Sequence, residues 1–162
     1  ASARVPPVGT AFCALGTTMA KARSEAAFRA VDLDAVAAFA GLARRAGAKR
    51  FLLVSALGAD PRSRVFYNRV KGEAEEAVKG AGFEGLAVLR PSLLLGDRQE
   101  SRPAETVAVV ASSLFSWAMA GPLARWKPVP AESVAAAMLA VAGGVLEGVR
   151  IVENDEIHRL AA

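Results

Sequence analysis

The chain has 162 residues, 53% hydrophobic and 22% charged, which suits one domain with a substantial core and excludes a disordered protein. Its formal charge is +4, yet the basic residues are scattered, with no run longer than Arg44-Arg45 or Lys49-Arg50, so no nucleic-acid partner is expected. Cys13 is the only cysteine, which rules out an intrachain disulfide and suggests no metal cluster.

Residues 1–9 are rich in Pro and Gly and read as a loop. They begin Ala-Ser-Ala-Arg with neither Met nor a charged-then-apolar signal segment, from which a cytoplasmic location is expected. The apolar run Thr10 to Leu15 predicts a buried strand that closes on Gly16-Thr17-Thr18, with Cys13 as a small core residue. Ser24 is a suitable N-cap, with Glu25 in the first turn of a helix over 24–46. Phe28, Val31 or Asp32, Ala35 or Val36, Phe39 and Ala43 repeat at helical spacing, and Gly47 marks the stop.

A second strand is predicted over 50–55, then a Gly/Asp/Pro turn, then a helix over 63–79. Phe66, Val70, Ala74 and Ala77 or Val78 form its buried stripe, and Glu73, Glu75 and Glu76 are expected to face water. Leu86 to Arg90 is a third strand, stopped by Pro91, and Ser92 to Gly96 another apolar run. After a charged loop over 97–102, residues 104–120 are nearly all apolar. That run is short and stands alone between charged loops, so a covered helix is expected rather than a membrane span. A helix over 131–142, a short strand over 149–152 and a terminal helix over 154–160 complete the chain, with His158 at the surface. No repeat, linker or domain break interrupts it, so residues 1–162 read as a single domain. The alternation of strand and helix specifies βαβ units, hence an α/β fold with a parallel sheet.

Chemistry concentrates between Ser55 and Lys71. Tyr67 is the only tyrosine, and it precedes Lys71 by one helical turn, so phenol and ammonium share a face. An unperturbed phenol, with a pKa near 10, is a poor proton shuttle at neutral pH. A neighbouring ammonium favours phenolate and brings that value towards the working range. Ser55, at the end of its strand, is where ligand sites of open α/β sheets collect. Its hydroxyl can hold a substrate oxygen. The three residues make a proton-donating site for carbonyl chemistry.

The segments CALGTT, FRAVDLD, LLVSALGADPRSRVFYNRVKGEAE and LRPSLLLGDR resemble an atypical short-chain dehydrogenase/reductase, of the Tat-interacting-protein type and its bacterial relatives. The resemblance runs over nearly the whole chain. It implies a Rossmann-like parallel sheet flanked by helices, NAD or NADP as cofactor and a small carbonyl or alcohol substrate. By the same resemblance Ser55 would polarise the substrate, Tyr67 serve as acid and base, and Lys71 hold the nicotinamide ribose. Leu15, Gly16, Thr17 and Thr18 would line the cofactor, and Arg90, Pro91, Ser92 and Leu93 its nicotinamide end.

One departure stands out. The family's opening strand and Gly-x-x-Gly-x-x-Gly turn, which holds the pyrophosphate at a helix N-terminus, have no counterpart here. The N-terminal βαβ portion is therefore expected to be missing, through either a fragment or a truncated gene product, and cofactor binding by this chain alone is expected to be weak. The Cys13 strand would then be an apolar edge that a second chain could cover, which leaves a homo-oligomer open. Two readings follow: an NAD(P)-dependent oxidoreductase, or a non-enzymatic module for NAD(P) sensing or protein interaction that keeps the fold.

Overall fold

The computed structural model describes residues 7–95 and 126–162. Four parallel strands form one sheet: β1 (Thr10–Cys13), β2 (Arg50–Val54), β3 (Gly85–Arg90) and β6 (Gly148–Glu153), in the order β1-β2-β3-β6. In register, Cys13 lies beside Leu53, Val54 beside Leu89, and Arg90 beside Glu153. The carboxyl ends of all four strands therefore open on one side. Strands 10–13 and 50–54 are adjacent and parallel, as the βαβ pattern requires.

Side chains alternate across the sheet and build a core on each face. Phe51 and Leu53 join Cys13, Val36, Ala40 and Val78 on one face. Leu52 turns the other way, to Ala87, Leu89, Val134, Val152 and Ile157. The first face is covered by the long helical stretch after β1 and by α4 (Phe66–Lys79). The second is covered by α5 (Ala131–Gly143) and α6 (Asn154–Leu160). This is a Rossmann-like sheet flanked by helices.

The expected helix over 24–46 is not uniform. It runs as α2 (Glu25–Arg29), a π-helical stretch Ala30–Ala35, and α3 (Val36–Arg45). Ser24 caps it, its Oγ accepting from the Ala27 amide at 3.1 Å. Its buried positions are Phe28, Asp32, Val36, Ala40 and Ala43, the first four spaced four residues apart across the π-helical stretch. A period of 3.6 would drift off that line, and the wider π turn absorbs the difference. The choice between Val31 and Asp32 is thus settled in favour of the carboxylate.

Three features depart from the expected pattern. A one-turn helix, α1 (Met19–Ala22), follows β1, with Thr18 Oγ1 accepting from the Lys21 amide at 3.2 Å. Two-residue strands β4 (Leu94–Leu95) and β5 (Val129–Pro130) pair in parallel; runs so short carry no readable period. Glu75, expected in water, is 1% exposed. It lies four residues after Lys71, on the inward face of α4, and a guanidinium receives it there. The expected loop over 97–102 and helix over 104–120 lie outside the described residues. Among those that are described, no helix is long and apolar enough to cross a membrane.

Candidate functional site

Beyond the carboxyl ends of β1 and β2 lies a cavity of about 430 Å³, in the range of small-ligand pockets. Leu15, Gly16, Thr17 and Thr18 form one wall, and Ser55, Tyr67 and Lys71 line it as well. Seven of the residues singled out in the sequence therefore meet in one place. Ala14, Met19, Lys21, Val54 and Leu94 complete the lining.

The helix α4 positions its functional side chains by periodicity. Tyr67, Lys71 and Glu75 stand one turn apart on the same face. The Tyr67 ring, 36% exposed, leans on the buried Phe28, with centroids 5.6 Å apart and planes at 53°. Such tilted contacts hold an aromatic ring in place while one edge stays open. Lys71 is 7% exposed, and its Nζ lies 2.8 Å from Asp32 Oδ1. A buried ammonium is costly unless paired, and Asp32, fully buried, supplies the counter-charge. The other carboxylate oxygen, Oδ2, accepts from the Thr17 amide at 2.8 Å. One carboxylate thus ties the loop after β1 to the lysine on α4.

Gly16 passes directly over this pair. A Cβ there would lie 3.3 Å from Asp32 Oδ1 and 3.4 Å from Lys71 Nζ. A side chain there would crowd the ion pair.

A second ion pair, with a buried glutamate and a half-buried arginine, sits behind Ser55. Arg90 donates to Glu75 through Nε, 3.0 Å from Oε1, and through Nη2, 2.7 Å from Oε2. Glu75 raises the guanidinium above its ordinary value, chiefly by hydrogen bonding, so Arg90 stays charged. Ser55 Oγ donates to the same Oε1 at 2.6 Å.

Arg90, Pro91, Ser92 and Leu93 do not line the cavity, although the next residue, Leu94, does. Arg90 is turned to Glu75 and to Glu153, 3.4 Å away. Pro91 is buried and its carbonyl accepts from the Leu57 amide at 2.8 Å. Ser92 donates through Oγ to the Lys127 carbonyl at 2.6 Å and through its amide to Asn154 Oδ1 at 2.9 Å. Leu93 is 57% exposed. This segment braces β4 and α6 against each other.

Cys13 is buried at the end of β1, and burial pushes its thiol above the ordinary range, against smaller lowerings by a hydrogen bond with the Leu15 backbone and by the charge of Lys71. It is a packing residue beside the site. Among the described residues, no group of three or more His, Cys, Asp or Glu is placed to hold a metal.

No family model matches the chain. Protein HTATIP2 of Rattus norvegicus is 44% identical over 128 residues, covering 79% of this chain and 51% of that protein. Protein FMP52, mitochondrial, of Coccidioides immitis is 36% identical over 157 residues, covering 92% of this chain and 64% of that one. Among solved structures, MoeE5 in complex with UDP-glucuronic acid and NAD superposes with a TM-score of 0.64 at 16% identity, over 91% of this chain and 56% of that one. The human epimerase family protein SDR39U1 with NADPH gives 0.57 at 13% identity, over 96% and 62%.

The fold is Rossmann-like, as in these solved structures. The chain is a homologue of the Tat-interacting protein HTATIP2 and of the Fmp52 proteins. It spans about half the length of the curated relatives it matches. The cytoplasmic location expected from the sequence does not hold, because several of these relatives are named as mitochondrial proteins. That expectation rested on a signal segment not being seen, which carries no positive information.

Proposed function

We propose that the chain carries the site of an NAD(P)-dependent oxidoreductase that interconverts a small carbonyl compound and its alcohol. The observation that supports this most is the placement of Lys71, buried in ion pairing, one helical turn from Tyr67 on the wall of a cavity that also takes in Ser55. Solved neighbours that hold NAD or NADPH agree with it.

NAD(P), when bound, supplies or takes up the hydride. The Lys71 ammonium at the cavity wall and the loop Leu15–Thr18 fit the nicotinamide-ribose end of that cofactor, with Lys71 donating to ribose hydroxyls. Tyr67 passes a proton between its phenol and the reacting oxygen, and the ammonium of Lys71 favours the phenolate form. Asp32 holds Lys71 and the loop in register, so the two move together. Ser55 contacts the reacting oxygen from the end of β2. We assign this role to a single domain.

The test is oxidation of NADH and of NADPH by the protein, at cofactor concentrations high enough to offset weak binding, in the presence of a panel of aldehydes, ketones and quinones. Turnover with at least one class is the expected result. Quenching or enhancement of nicotinamide fluorescence without turnover of any class would favour a cofactor-sensing module instead.

A further inference from the structure

Among the described residues, Glu75 is the one buried acid near the cavity with no part in the scheme above, and its geometry constrains Ser55. A serine hydroxyl has one hydrogen and two lone pairs. A carboxylate paired through both oxygens with a guanidinium has only acceptor positions to offer. The contact of 2.6 Å between Ser55 Oγ and Glu75 Oε1 is therefore a donation by serine, short as expected for an ionised acceptor. Ser55 is 6% exposed, and its amide donates to the Leu89 carbonyl at 2.8 Å, which fixes the residue against β3. Turning its hydrogen towards the cavity would break the short bond and leave the buried Glu75 with one donor fewer.

We infer that Glu75, held by Arg90, commits the hydrogen of Ser55, so that Ser55 meets its ligand as a hydrogen-bond acceptor and the cavity selects a hydroxyl-bearing ligand. That ligand is the alcohol member of the redox pair, or a ketone with a hydroxyl on the adjacent carbon. The inference rests on the reading of the cavity as the substrate site. Glu75 and Arg90 are positioning residues, since neither lines the cavity. Donation to a carbonyl oxygen then falls to Tyr67 alone.

The experiment titrates the isotopically labelled chain with cyclohexanol and with cyclohexanone and follows the resonances of Ser55, Tyr67 and Lys71. Cyclohexanol is expected to bind about three- to tenfold more tightly, the usual scale for one neutral hydrogen bond. Ser55→Ala should weaken the alcohol and leave the ketone unchanged. Glu75→Gln, in which an amide no longer compels serine to donate, should narrow the preference; where that variant does not fold, Ser55→Ala carries the test. Equal or tighter binding of the ketone, or equal weakening of both probes by Ser55→Ala, would overturn the inference and return serine to a donor's role. If neither probe moves Tyr67 or Lys71, the reading of the cavity as a substrate site fails, and this inference with it.

Discussion

At Lys71 an ammonium is kept charged in a place that water barely reaches, and the residue that allows this is Asp32. Replacing Asp32 by Asn preserves the shape and the acceptor for the Thr17 amide, but leaves a buried cation without its counter-charge. Removal of one partner from a buried pair costs about 3 kcal/mol. Urea unfolding of Asp32→Asn is expected to show a loss of that order, and a change within 0.5 kcal/mol, the usual effect of a surface substitution, would contradict the pairing. Cys13 gives a test in pH. Below the ordinary thiol range the group is protonated in both folded and unfolded chains and contributes no pH dependence. Above that range the unfolded thiol loses its proton while the folded one, raised by burial, holds it, so stability falls as pH rises. Iodoacetamide at pH 8 should accordingly modify Cys13 much more slowly in the folded protein than in urea; equal rates would show an exposed thiolate.

The helices set which residues reach the site, and here the sequence was legible only in part. The Tyr67–Lys71 spacing placed phenol and ammonium on one face, and both line the cavity. The same arithmetic continues to Glu75, but a run of glutamates looks solvated until its partner Arg90, at the end of β3, is known. The sequence left the buried position open between Val31 and Asp32, because a π-helical turn changes the phase of a helix in a way that no 3.6-residue template reports. Gly72 shows another contact between distant parts of the chain. A Cβ there would collide with the backbone of Asp60 and Pro61, where the loop after β2 lies against α4. By helix propensity alone Gly72→Ala would gain about 1 kcal/mol. Because the obstacle is backbone rather than a flexible side chain, overpacking should win, with a net loss of roughly 1–3 kcal/mol. Thermal unfolding checks the sign, and a raised Tm would show that the loop yields.

For the molecule as a whole, alternating strands and helices were enough to specify the parallel sheet, because a βαβ crossover admits few other arrangements. The carboxyl ends of β1 and β2 then had to open on the same side, which brings Gly16, Thr17 and Ser55 together. What periodicity could not show was the pairing behind the cavity, where Lys71 meets Asp32 and Ser55 meets Glu75 across separations of 39 and 20 residues. Each pair joins two elements and turns a set of side chains into a fixed constellation. The central claim is that Tyr67 moves the proton in this constellation. Tyr67→Phe keeps the ring and its contact with Phe28 and removes only the hydroxyl. The direct measurement is the pH–rate profile of NAD(P)H-dependent turnover for wild type and Tyr67→Phe, with circular dichroism to confirm that both fold. The account predicts an intact fold and a loss of about 10²–10⁴ in rate, and turnover by Tyr67→Phe equal to wild type would contradict it.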